Sequence, residues 1–181
     1  FFQDDYSLII DLFYGQYISK LCKVTNDTPS TSYSYDPFSC ISLEIPPHSK
    51  NIYDCLDSFT SREKISDDDS KDKIYKKISF WKLPKVLVIF FKRFDNGGSK
   101  LNNLIEFPLE NLNMSKYVSG YNKSKSVYDL VAVSNHSGGC NGGHYFAYCK
   151  NADSNWYKFN DNIVSTLQTQ RVVSQSAYCL F

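Results

Sequence analysis

The 181 residues carry 20 Lys and Arg against 19 Asp and Glu, a net charge of +1, with 42% hydrophobic and 16% aromatic residues, including 14 Tyr and 13 Phe. A chain of this length and composition can bury one sizeable core, stands well away from the disordered class, and shows no electrostatic footprint for nucleic acid or an anionic membrane. No run of 18 apolar residues occurs, so no membrane-spanning helix is expected.

The chain opens on Phe1 without signal-peptide features and reads as a fragment or excised region. Ser7 to Phe13 is a short apolar stretch, a turn of helix or the start of a strand. Tyr17 to Val24 reads as a strand, Thr25 to Ser32 as a polar loop containing a proline, and Tyr33 to Ile45 as a second strand stopped by Pro46 and Pro47. Ile52, Leu56 and Phe59 recur at helical spacing and predict a short amphipathic helix over 51–59. Ser61 to Lys77 is strongly charged, with Asp67, Asp68 and Asp69 followed by lysines, which fits a solvated loop or the tip of a hairpin.

Val86 to Phe91 is a run of six apolar residues, as expected of a central strand buried on both faces. Lys92 and Arg93 at its end read as solvated cations. Asp95 to Lys100 contains Asn96-Gly97, a tight-turn signal. Ile105 to Leu109, with Pro108, reads as a sheet edge. Val127 to Ser134 alternates into a strand, and Tyr178 to Phe181 is a last apolar strand.

Chemistry concentrates in Asn135 to Cys149 (NHSGGCNGGHYFAYC) and, shortly after, in Trp156 to Asp161 (WYKFND). A loop with glycines at 138, 139, 142 and 143 leads into an alternating strand with His144 at its mouth. Glycine permits φ > 0 and close approach of a second backbone. The second segment delivers Asn160 and Asp161, either of which could bond the far ring nitrogen of His144. An imidazole oriented by an amide or carboxylate is two parts of a nucleophilic triad.

These two motifs resemble the C-terminal His box of the ubiquitin-specific proteases, papain-like cysteine peptidases. LFYGQY, YDPFSCISLEIP, WKLPKVLVIFFKRF and the closing AYCLF resemble further parts of the same domain, so the likeness spans nearly the whole chain. It implies an α+β, β-rich, papain-like fold with an antiparallel palm sheet plus fingers: a fingers-like region over about 7–80 and a palm over about 81–181, the thumb being absent. It further implies His144 as general base, Asn160 as its orienter and Asp161 as a supporting acid. Gly142, Gly143 and Tyr145 would line the substrate channel. Ubiquitin and ubiquitinated proteins would be the partners, and a thiol-dependent deubiquitinase the activity. The rival reading is a ubiquitin-binding pseudo-protease that keeps the fold without cleaving.

Two departures stand out. Nothing here resembles the family's Cys box, so the nucleophile is expected upstream of Phe1. Cys140, four residues before His144, opens no recognisable helix, and Cys149 reads as a sheet residue. The second departure is in the fingers, where many relatives carry two C-x-x-C pairs that bind zinc. Here Cys22 stands alone, and neither a metal nor any other cofactor is expected. The six cysteines (22, 40, 55, 140, 149 and 179) show no C-x-x-C pair. Although Asn26, Asn113, Asn122 and Asn135 each begin an N-x-S/T tripeptide, the thiols read as reduced and the protein as cytoplasmic.

Overall fold

In the computed structural model residues 7–66, 72–120 and 126–181 are described. Helix α1 (Leu8–Phe13) is capped by the Ser7 hydroxyl, which accepts from the Ile10 amide. Strands β1 (Gly15–Thr25) and β2 (Thr28–Phe38) then form a long antiparallel hairpin. Its turn is only Asn26-Asp27, both with positive φ (50° and 61°), where the sequence suggested a loop from Thr25 to Ser32. Asn and Asp tolerate that conformation, and β2 is the outer strand of its sheet. Its serines, threonines and prolines therefore stay solvated and break no interior ladder.

The strand expected from Tyr33 to Ile45 is in fact two. The chain bends at Ser39-Cys40, and β3 (Ile41–Glu44) joins a different sheet. Helix α2 (Ile52–Phe59) carries a capping box, in which the Asn51 side chain accepts from the Asp54 amide and the Asp54 carboxylate accepts from the Asn51 amide. Its buried stripe is Ile52, Cys55 and Leu56. Full burial of each aliphatic side chain is worth roughly 1.5–3 kcal/mol. Strands β4 (Arg62–Lys64) and β5 (Lys73–Lys82) complete a four-stranded sheet of order β2-β1-β5-β4. The charged stretch thus supplies strand arms, while Asp67 to Asp69 lie outside the described residues.

The second sheet has seven strands. To β3 it adds β6 (Ile89–Lys92), β9 (Ala132–Gly139), β10 (Gly142–Lys150), β11 (Trp156–Asn160), β12 (Ile163–Leu167) and β13 (Ala177–Leu180), in the order β12-β11-β10-β9-β13-β6-β3. Two short strands, β7 (Leu112–Asn113) and β8 (Val127–Tyr128), pair separately. Only Ile89 onward of the long apolar run enters the ladder, and β6 lies second from the edge rather than centrally. Its outer neighbour β3 is parallel to it, so the palm sheet is mixed rather than wholly antiparallel. Ile105 to Leu109 forms no strand, only a bridge from Glu106 to Asn51. The alternating stretch 127–134 divides between β8 and β9.

One buried cluster runs from Phe38 to Leu180 and joins the two sheets, with Tyr17, Phe38, Phe59 and Phe80 stacked at the junction. Ahead of residue 80, β3 belongs to the seven-stranded sheet and α2 joins the shared core, and β5 continues to Lys82. Arg93 corrects an expectation. It is fully buried, donating from Nε to the Ala177 carbonyl (2.6 Å) and from Nη1 to those of Leu101 (2.9 Å) and Asn103 (3.0 Å). Burial without a carboxylate partner lowers its pKa.

Candidate active site

The glycine-rich segment is the tip of a hairpin, not an open loop. Gly139 pairs with Gly142 and Gly138 with Gly143, so the turn itself is Cys140-Asn141 and His144 sits inside β10 opposite Ser137. Strand alternation puts His144, Phe146 and Tyr148 on one face and Gly143 and Tyr145 on the other. The three rings form a row, with centroids 6.4 Å and 5.5 Å apart, that runs from the half-exposed His144 to the buried Tyr148. Lys158, on the adjacent strand, lies 4.6 Å above the Phe146 ring.

Strand β11 brings Asn160 alongside. The His144 Nε2 and Asn160 Oδ1 atoms are 2.5 Å apart. An amide oxygen can only accept, so Nε2 is the protonated nitrogen and Nδ1 keeps its lone pair. Asp161 follows at the first position of the β11–β12 turn, with φ 52°, and its carboxylate stands 3.9 Å from Nε2. That is too long for a hydrogen bond. At 76% exposure the carboxylate is largely screened by water, so its attraction to the ring is small. All three residues singled out in the sequence therefore converge.

The glycines divide by face. A Cβ built on Gly142 or Gly139 would meet nothing within 4 Å, so the backbone beside His144 is bare and open. On the opposite face, a Cβ on Gly143 would lie 2.2 Å from His136 Nε2 and 2.6 Å from the Ser137 carbonyl. Gly138, at φ 105°, is equally crowded by Gly142 and Gly143. Gly142 borders His144, whereas Gly143 packs against His136 on the opposite face.

Tyr145 turns away from His144 and joins a second ring cluster: its centroid is 4.6 Å from that of His136, which also contacts Phe94 and Tyr178. His136 was not singled out by the sequence. It is buried, its Nδ1 has no partner, and desolvation followed by the charge of Lys100 lowers its pKa. Lys100 donates to the His136 carbonyl. Alternation along β9 could not have marked it, because the adjacent Asn135 and His136 are both buried.

None of the thiols is placed to serve His144. Cys140 stands over Gly98, where a Cβ would sit 3.2 Å from its sulfur, and Cys149 is on the opposite face of β10, its pKa raised by burial. All six cysteines are unpaired. Among the described residues no group of His, Cys, Asp or Glu could hold a metal ion.

Residues 2–181 match the family described as ubiquitin carboxyl-terminal hydrolase. The chain is 42% identical over 190 residues to ubiquitin carboxyl-terminal hydrolase Usp2 of Drosophila melanogaster, covering 97% of this chain and 20% of that protein. It is 39% identical over 167 residues to ubiquitin carboxyl-terminal hydrolase 8 of Saccharomyces cerevisiae, covering 81% and 35%. Among solved structures, a chain of the SAGA Ubp8/Sgf11/Sus1/Sgf73 DUB module bound to ubiquitin aldehyde superposes with a TM-score of 0.83 at 33% identity, covering 98% of this chain and 42% of that one. A chain of the yeast SAGA DUB module gives 0.86 at 34% identity. The fold is that of part of a ubiquitin-specific protease catalytic domain, and the chain belongs to the ubiquitin carboxyl-terminal hydrolase family. It spans well under half the length of these relatives.

Proposed function

We propose that this chain supplies the general-base half of a thiol-dependent deubiquitinase that cleaves the peptide or isopeptide bond after the C-terminal glycine of ubiquitin. The observation that carries this reading is the 2.5 Å contact from His144 Nε2 to Asn160 Oδ1, which leaves Nδ1 free on an open face of the sheet. Nδ1 takes the proton of a nucleophilic thiol, and the resulting imidazolium later returns it to the leaving amine. The same ring then activates water against the thioester. Asn160 fixes the ring plane and tautomer, and Asp161 adds negative potential as the imidazolium forms.

Because no cysteine here faces His144, the nucleophile is assigned to polypeptide upstream of Phe1. The bare backbone at Gly139 and Gly142 gives an extended Gly-Gly tail room to pass the base. A cytoplasmic setting belongs to the same proposal and agrees with six unpaired thiols. The names of the relatives, and the ubiquitin aldehyde bound in one solved neighbour, support ubiquitin as the substrate.

The test is fluorophore release from the C-terminus of ubiquitin by the intact polypeptide and by its His144→Ala variant. Turnover should fall by about 10³-fold or more while ubiquitin binding stays within a few-fold. An intact polypeptide that binds ubiquitin but never releases fluorophore would instead be a binding module.

A further inference from the structure

The four-stranded sheet has two chemically different faces. One, carrying Glu63 and Ile78, turns inward and lines a cavity with Ser42, Glu44, Phe59 and Lys92. The strand registers put Lys20, Cys22, Lys73, Tyr75, Lys77, Arg62 and Lys64 on the other face. Among the described residues that outer face has no carboxylate. Asp36, Glu63 and Asp72 all fall on the inner side, where Asp72 pairs with Lys23.

Across three neighbouring strands Lys20 stands opposite Lys77, and Lys77 opposite Arg62. Three like charges directly abreast, within about 10 Å at ordinary strand spacing, repel one another. Among the described residues none of the ion pairs involves Lys20, Lys77 or Arg62. The row borders a depression of about 190 Å³ lined also by Cys22 and Tyr75. Beside it lie the exposed rings of Tyr33 and Tyr35.

We propose that this outer face is a docking surface for an acidic peptide segment of a partner protein, carboxylates on the Lys20–Lys77–Arg62 row and an aromatic or aliphatic side chain against the tyrosines. This goes beyond the deubiquitinase reading and does not depend on it. A carboxylate-rich segment relieves a repulsion that no ion pair among the described residues offsets. Nucleic acid fits less well, because a three-cation row falls short of the six to ten phosphate contacts typical of duplex binders.

The experiment is fluorescence anisotropy on the intact polypeptide with two fluorescein-labelled probes: a 12-residue peptide of Glu and Asp around a central Phe, and a 12-nucleotide oligothymidylate. Each is titrated against the parent and the combined Lys20→Gln, Arg62→Gln, Lys77→Gln variant, with thermal unfolding and ubiquitin–fluorophore turnover measured alongside. The peptide should bind the parent more tightly than the oligonucleotide, lose at least tenfold in the variant, and weaken with added salt. The variant should melt no lower than the parent, since repulsion is removed, and should turn over substrate within twofold. Absence of peptide binding to the parent, equal binding by the variant, tighter binding of oligothymidylate, or a tenfold loss of turnover would each overturn the assignment.

Discussion

Two hairpins of the same plan do different work. Both β1–β2 and β9–β10 are antiparallel and close on two-residue turns, Asn26-Asp27 and Cys140-Asn141. The fingers hairpin has side chains at every ladder position after Gly15, and its outer strand is solvated along almost its whole length. The palm hairpin gives up side chains at four positions around its tip, and its other end is sunk in the core through Val133, Asn135 and Tyr148. A hairpin can be spared side chains at one end only when the other end is held. His144 sits at the changeover, with the packed end of the hairpin on one side and the bare tip on the other.

Several substitutions break that contrast. The largest effect is the loss of turnover in His144→Ala described above. Asn160→Ala should lower turnover by roughly 10²-fold, whereas Asn160→Asp, which keeps an oxygen facing Nε2 and adds charge, should retain most of it; steady-state kinetics separates the two. Arg93→Met should cost about 3 kcal/mol in urea unfolding, since the carbonyls of Ala177 on β13 and of Leu101 and Asn103 in the segment after the 95–100 turn lose their donor. At the tip, Gly143→Ala should destabilise by about 1–3 kcal/mol because its methyl group meets His136 and the Ser137 carbonyl. Gly142→Ala, with nothing in its way, should stay within about 0.5 kcal/mol. Equal losses from the two alanines would remove the distinction between packing and bordering glycines.

The smallest effect concerns pH. Burial depresses the pKa of His136 in the folded state, so the unfolded chain binds its proton more readily. The sign follows: this contribution is complete above the unfolded value of about 6.5 and is lost progressively as pH falls below it, toward the folded pKa. Urea midpoints of the parent between pH 7.5 and 5 should fall more steeply than those of His136→Gln. Parallel curves would show that His136 takes up its proton equally in the folded and unfolded states.

Where local chemistry decides, the sequence was legible. Helix α2 announced itself by apolar spacing, and the meeting of His144 with Asn160 by two motifs of a known family. The reach of β2 was not legible, because an edge strand has no buried face and so carries no alternation to read. Nor was the split of 33–45 between two sheets, since Ser39-Cys40 is no strong breaker and the decision lies in distant partners. Arg93 looked like a solvated cation because nothing local signals the carbonyls at 101, 103 and 177 that enclose it. His136 was hidden for the same reason: its neighbours Phe94 and Tyr178 come from remote segments.

Strand β13 lies between β9 and β6, and it is the latest of the described strands in sequence order. During synthesis the strands of the block bearing His144 and those of the block built on β3 and β6 therefore all precede the one strand that pairs with both. Cys179 meeting Phe90 on one side and Ser134 on the other is the step that turns two half-sheets into one. A nascent chain stopped before Ala177 should show the His144 hairpin as readily cut by protease, and release of a few more residues should abolish that cleavage. Locking of the His144 hairpin into the finished sheet would then wait on β13 leaving the ribosome.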